Sequence, residues 1–211
     1  MISWMVNPWQ EIPLEDYEGH MALPSIGQAR MLATQLERLI EQHQPTSIAI
    51  LGSAGGNGLE RIQSTCVERV VAVDINPKYI AATGDRHANR FANLDLRCAD
   101  VQSEQLQFEP VQLIYAALIF EYVDIAATFA TIKRNLQRGG TLATLLQLPH
   151  SDQHPVSPSP YKSLEKLASE LRLVEPGELR VHATDAGFGF RGSETIELPS
   201  GKLFLSQIFD Y

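Results

Sequence analysis

Asp74 closes an apolar run, Arg69-Val70-Val71-Ala72-Val73, 22 residues after Gly52. A carboxylate at the end of a buried strand, about 20 residues past a glycine turn, is placed to accept ribose hydroxyl protons. The turn is dense: Gly52, Gly55, Gly56 and Gly58 fall within the seven residues from Gly52 to Gly58. Backbone without a Cβ can approach a ligand closely. A helix opening at Leu59 would add free N–H groups and the positive end of its dipole. Asp100 follows a third apolar stretch, and Glu121 and Tyr122 follow a fourth. Together these residues predict a nucleotide site, with His20, Glu121 and His150 as candidate general bases.

The elements that must hold these groups alternate. Ile48 to Leu51, between Pro45 and Gly52, has the length of a central parallel strand. Before it, Ser25 opens a capping-box helix with Ile26, Ala29, Ala33, Leu36 and Ile40 at helical spacing, stopped by Pro45. After strand two, Asn76 caps and Pro77 begins a helix to about Phe91. Leu94 to Cys98 and Gln112 to Ala117 read as strands three and four. Asp124 caps a helix that Gly139-Gly140 ends, and Thr141 to Leu148 is strand five. Short helices follow from about Pro160 and Pro176. Glu194 to Leu198 and Lys202 to Phe209 form an antiparallel hairpin around Pro199-Ser200-Gly201. This is βαβ alternation, an α/β doubly wound sheet.

The 211 residues suggest one domain, 25–211, behind an N-terminal segment, 1–24. That segment reads as irregular, yet Trp4, Met5, Trp9, Tyr17 and Met21 give it too much apolar surface for a disordered tail, so it is expected to pack on the body. A net charge of −8 disfavours a nucleic-acid or anionic membrane surface. No signal peptide and no bilayer-spanning run is read. Cys66 and Cys98 make no ligand pattern, Cys98 is expected to be a small buried hydrophobe, and a reducing cytoplasm is the expected setting.

In order, the motifs are the glycine turn, Asp74, Asp100, the A-A-L-I-F-E-Y after strand four, L-Q-R-G-G-T-L before strand five, and the hairpin after D-A-G-F. The set resembles a class I S-adenosylmethionine-dependent methyltransferase over about residues 25–211. The N-P-W-Q-E-I-P-L-E-D-Y-E-G-H-M segment is similar to the N-terminal region of an unassigned bacterial subgroup of that family. The resemblance implies a mostly parallel seven-stranded sheet with an antiparallel C-terminal hairpin, and S-adenosylmethionine as cofactor, leaving as S-adenosylhomocysteine. It implies that Gly52, Ser53, Ala54 and Gly56 line the methionine and ribose part. Asp74 would hold the ribose hydroxyls with Ile75 against the adenine. Asp100 would accept from the adenine amino group beside Val101, and Ala117, with Ala116, would pass near the methionine end. Tyr17, Phe120, Tyr122 and His150 are candidate acceptor contacts, and His20 and Glu121 candidate catalytic groups.

Two positions depart from the family. Ile50 stands where an acidic residue commonly faces the cofactor's amino group, so Asp16, Glu18 or His20 would have to contribute. Ala54 replaces the second glycine, a difference of one methyl group. A nicotinamide-dependent dehydrogenase also fits Gly52-x-x-x-Gly56-x-Gly58, but no tyrosine has a lysine four residues later. A non-catalytic binding module is a third reading, disfavoured by retention of both Asp74 and the turn. His150 and His154 would face each other only on a helix, and Pro149 and Pro155 bracket them as a lid or surface loop, so no metal is expected. Neither an Asn-Pro-Pro-Tyr nor a Pro-Cys motif is present, and no inserted domain could grip a macromolecule. A small-molecule acceptor is expected.

Overall fold

The computed structural model describes residues 7–63, 66–149 and 156–211. Trp4 and Met5, and the His150–His154 pair, lie outside the described residues. Seven strands form one sheet in the order β3-β2-β1-β4-β5-β7-β6. They are β1 (Ser47–Leu51), β2 (Arg69–Asp74), β3 (Asn93–Cys98), β4 (Val111–Ala117), β5 (Leu136–Gln147), β6 (Gly189–Glu197) and β7 (Leu203–Asp210). β1 to β5 pair parallel, and β7 runs antiparallel to both β5 and β6. β1 and β2 are buried almost throughout, as a run of valine, isoleucine and alanine covered on both faces must be.

The helices are α1 (Leu14–Ala22), α2 (Gln28–His43), α3 (Pro77–His87), α4 (Ile125–Asn135) and α5 (Pro176–Asp185). The caps read from the sequence at Asn76 and Asp124 are made: Asn76 accepts from the Lys78 N–H and Asp124 from the Ala127 N–H. One apolar core joins the sheet to α4 and α5 through Phe129, Ile132 and Leu179, and a second joins it to α2 through Leu36 and Leu39.

Several expectations are corrected. The N-terminal segment is not irregular, because it holds a 3₁₀ turn, Pro8–Gln10, and the nine-residue α1. α2 begins three residues after the expected Ser25 cap, since Leu23 to Ile26 form a turn and Gly27, at φ 65°, starts the helix. No helix proper follows the glycine turn: Leu59–Arg61 is one 3₁₀ turn, too short for a useful dipole. Gly139 and Gly140 do not end α4. The helix stops at Asn135, whose side chain accepts from the Phe108 N–H and donates to the Leu106 carbonyl, and both glycines lie in the irregular first part of β5. α3 ends four residues before Phe91, and the element after Pro160 is a 3₁₀ helix, Lys162–Ser169. Cys98 is exposed, because β3 is an edge strand with little cover.

Candidate active site

The C-terminal ends of β1, β2 and β4 open into one cavity, at the point where the strand order reverses. The glycine turn is bent back over β2: the Gly52 and Ser53 N–H groups both donate to the Val73 carbonyl, at 2.9 and 3.0 Å. The Ala54 N–H donates to Asp74 Oδ2 at 2.8 Å, and the Asn76 N–H to Oδ1 at 2.9 Å. Thr83 and Arg86 of α3 then donate to the Ala54 and Gly55 carbonyls, both at 3.0 Å. Gly52, Ala54, Gly56 and Gly58 all have positive φ, 48° at Ala54. Ala54 is thus more than an added methyl group: an L-residue is held in the left-handed region. Leu118, at the end of β4, is held there too, at φ 54°.

Gly52, Ser53, Ala54, Asp74, Ile75, Asp100, Val101 and Ala117 all line the cavity wall, as do Tyr17, His20, Glu121 and Tyr122. Three candidates do not. Ala116, on β4, is fully buried in the core. Gly56 faces α3, where a Cβ would lie 2.9 Å from the His87 ring, so its lack of a side chain serves packing. Phe120 is fully buried, stacked on Phe129 at 5.4 Å in the core behind the wall. His150 lies outside the described residues.

Burial pushes the Asp74 carboxyl up to about 6, against the pull of its backbone donors at Asn76, Ala54 and Ile75. With these donors in place the carboxylate keeps lone-pair room for a further donor. Asp100 is partly committed, since it accepts from both the backbone and the side chain of Gln102. Ser53 is 4% exposed, and its hydroxyl has no partner among the described residues.

Glu121 is 3% exposed. Its Oε1 accepts from the Gln147 N–H at 2.8 Å, and its Oε2 has no partner among the described residues. Burial raises this carboxyl to about 7. Tyr122 beside it meets the Trp9 ring edge-on at 5.0 Å, and Trp9 meets Tyr17 at 5.7 Å. Burial raises both phenols; Glu121 adds to the rise at Tyr122 and Asp74 to that at Tyr17. His20 is lowered by burial and then by Lys202, and its Nδ1 lies 2.9 Å from the Ser159 hydroxyl. Of the three groups offered in place of an acid at residue 50, only His20 reaches the wall. Asp16 accepts from Ser163, and Glu18 pairs with Arg86.

Sequence reasoning missed Gln28, Tyr79, Gln147 and Lys202, all on the wall. Lys202 is 4% exposed and lowered to about 8 by burial. Its one legible signal was a lone lysine opening an apolar strand. Gln28 and Gln147 carried none. Among the described residues no group of three His, Cys, Asp or Glu side chains is placed to hold a metal ion. Among them, too, no helix is long and apolar enough to cross a membrane.

A family model described as a methyltransferase domain matches residues 50–144. No match was found among curated proteins. Similar solved structures include the N-methyltransferase NodS from Bradyrhizobium japonicum WM9 in complex with S-adenosyl-L-homocysteine. It is 16% identical with a TM-score of 0.67, over 97% of this chain and 98% of that one. Geranyl diphosphate C-methyltransferase from Streptomyces coelicolor A3(2), solved with Mg2+, geranyl diphosphate and S-adenosyl-L-homocysteine, is 14% identical with a TM-score of 0.65, over 88% and 82%. The [4+2]-cyclase SpnF is 13% identical with a TM-score of 0.65, over 83% and 80%. At such identities the likeness is one of fold, and the fold carries more than one chemistry. The matched domain, the sheet order and the glycine turn tied to Asp74 agree: the chain carries a methyltransferase domain over residues 50–144, in a fold it shares with S-adenosyl-L-homocysteine-bound methyltransferases.

Proposed function

We propose that this protein is a methyltransferase that acts on a small-molecule acceptor. The observation that carries the reading is the union of the glycine turn with a buried Asp74 at the reversal of strand order, inside a matched methyltransferase domain. The residues fit the cofactor. Asp74 keeps lone-pair room for a ribose hydroxyl, and Ile75 and Val101 offer apolar walls for the adenine. The orphaned Ser53 hydroxyl awaits a polar partner in the cradle. When bound, S-adenosylmethionine supplies a methyl group on a sulfonium and leaves as S-adenosylhomocysteine. The protein's part is alignment, exclusion of water and, for a protonated nucleophile, a base.

Glu121 is the best-placed base. Its carboxyl is held by the Gln147 N–H, its second oxygen is buried without a partner among the described residues, and a value of about 7 keeps it half ionised near neutrality. A small acceptor is supported by the cover over the cavity, to which α1 and the 156–171 stretch both contribute. Geranyl diphosphate, the ligand of one structural neighbour, is an acceptor of that size class. The cytoplasmic setting rests on composition alone.

The test is calorimetric titration with S-adenosylmethionine, S-adenosylhomocysteine and NAD in parallel. Binding of the first two without NAD is expected. Binding of NAD alone, or of none of the three, would overturn the reading.

A further inference from the structure

Glu121 lines the cavity, and its Oε2 is the least explained polar atom of that wall. It is buried and without a partner among the described residues, and its fellow oxygen is pinned to β5 by the Gln147 N–H. A buried carboxylate in this state is costly until a donor arrives. Its surroundings favour a particular donor. The Tyr122 and Trp9 rings, edge to face, line the same cavity as Glu121, with Tyr17 next in line. Aromatic rings attract an ammonium, most of all where water is excluded. Beyond the rings the wall turns apolar at Leu164, Leu167 and Leu171. Among the described residues the cation on this wall is Lys202, which sits by His20 and exerts its field there.

We propose that the acceptor is a small organic amine with an apolar or aromatic body, held as its ammonium by Glu121 and the Trp9–Tyr122 rings. This rests on the methyltransferase reading. A proton passes from the ammonium nitrogen to Glu121 Oε2, leaving a neutral amine and a neutral carboxylic acid. The freed nitrogen lone pair forms the new C–N bond as the methyl carbon's bond to sulfur breaks, its electron pair staying on sulfur. The product is the N-methylated ammonium, and Glu121 returns its proton to solvent when the cavity opens. An amine near pKa 10 is within a carboxylate's reach in a way that an unactivated alcohol is not. The charge contact, in turn, separates an amine from a phenol of similar acidity.

The chain has two tryptophans, Trp4 and Trp9, so Trp4→Phe leaves Trp9 as the sole indole reporter at the cavity. Protein carrying that change, loaded with S-adenosylhomocysteine, is titrated with 2-phenylethylamine, 2-phenylethanol and phenylacetate. The amine is expected to bind at least 10-fold more tightly than the other two. Glu121→Gln, which can still accept from the Gln147 N–H, is expected to erase that preference while S-adenosylhomocysteine affinity stays within 2-fold. Tyr122→Leu, a second variant, should weaken the amine several-fold. Preference for phenylacetate would hand the acceptor end to Lys202 and overturn the proposal. Equal binding of all three, binding of none, or an amine preference that survives Glu121→Gln would overturn it as well. Failure of S-adenosylhomocysteine to bind would instead break the methyltransferase reading, and the three probes titrated without it would still judge the amine.

Discussion

Asp74 and Ala54 share one hydrogen bond and two consequences. The Asp74 carboxylate accepts the Ala54 and Asn76 N–H groups, so it organises the turn as well as facing the cavity. Asp74→Ala should therefore weaken S-adenosylmethionine binding by about 1–3 kcal/mol and also lower stability, because two buried N–H groups lose their acceptor. Calorimetry and thermal unfolding of the same variant separate the two effects, and unchanged affinity in a folded variant removes the ribose role. Ala54 is held at φ 48°, a region that costs an L-residue about 1–2 kcal/mol. Ala54→Gly should raise stability by about 1 kcal/mol or less, after the added freedom of the unfolded chain is offset; a drop in melting temperature would contradict the strain. The spacing of Asp74 from Gly52 was legible because a turn bent back over the neighbouring strand fixes a distance along the chain. The burial of Phe120 behind the wall was not, since neighbours on a turn can point to opposite sides. Lys202 was missed because it reaches the cavity only through the pairing of distant strands.

The cover over the cavity is a matter of elements. α1 and the 3₁₀ helix Lys162–Ser169, with the turn before it, are fastened by His20 to Ser159, Ser163 to Asp16, and Lys166 to Glu11. They press together at Gly19, where an added Cβ would clash with the Tyr161 hydroxyl oxygen. On its other side α1 and the turn before it are fixed to α3, through Tyr79 to the Ile12 carbonyl, Asn76 to the Trp9 carbonyl, and Arg86 to Glu18. Gly19→Ala should cost about 1–3 kcal/mol in urea unfolding, and Gly19→Ala with Tyr161→Ala should lose less than the two single changes summed. Additive losses would show that the two segments do not press on each other. α1 escaped sequence reading because Pro13 and Gly19 punctuate it and its apolar residues form no clear stripe. α3 and α4 were legible from their caps. The 3₁₀ turn after the glycine run was misread as a helix because the turn pattern is shared with folds that do continue helically.

At the scale of the molecule, buried ionisable groups make stability depend on pH. Burial raises Asp74 from 3.8 to about 6 and Glu121 from 4.5 to about 7. Across those windows the folded state holds protons that the unfolded state has released, so the contribution is full below about 4 and is lost as pH rises toward 7. His20 and Lys202, lowered by burial, act in the opposite sense, losing stability as pH falls. Glu121 is therefore isolated by difference. Glu121→Gln should gain on the parent by up to about 3 kcal/mol between pH 5 and pH 8, measured by urea unfolding at each pH. A difference that does not change with pH would place the Glu121 value near that of an exposed carboxyl.

The order β5-β7-β6 has a further consequence, in time. In this sheet β6 pairs with β7 alone, and β7 comes last in sequence. On a ribosome, β6 therefore emerges with no strand to join, while β1 to β5 can already be side by side. Only when Leu203–Asp210 is made can β6 be joined, through β7, to β5. Lys202 reaches the cavity only then. A nascent chain can thus hold the glycine turn, Asp74 and Glu121 in place before β7 brings Lys202 to the cavity wall.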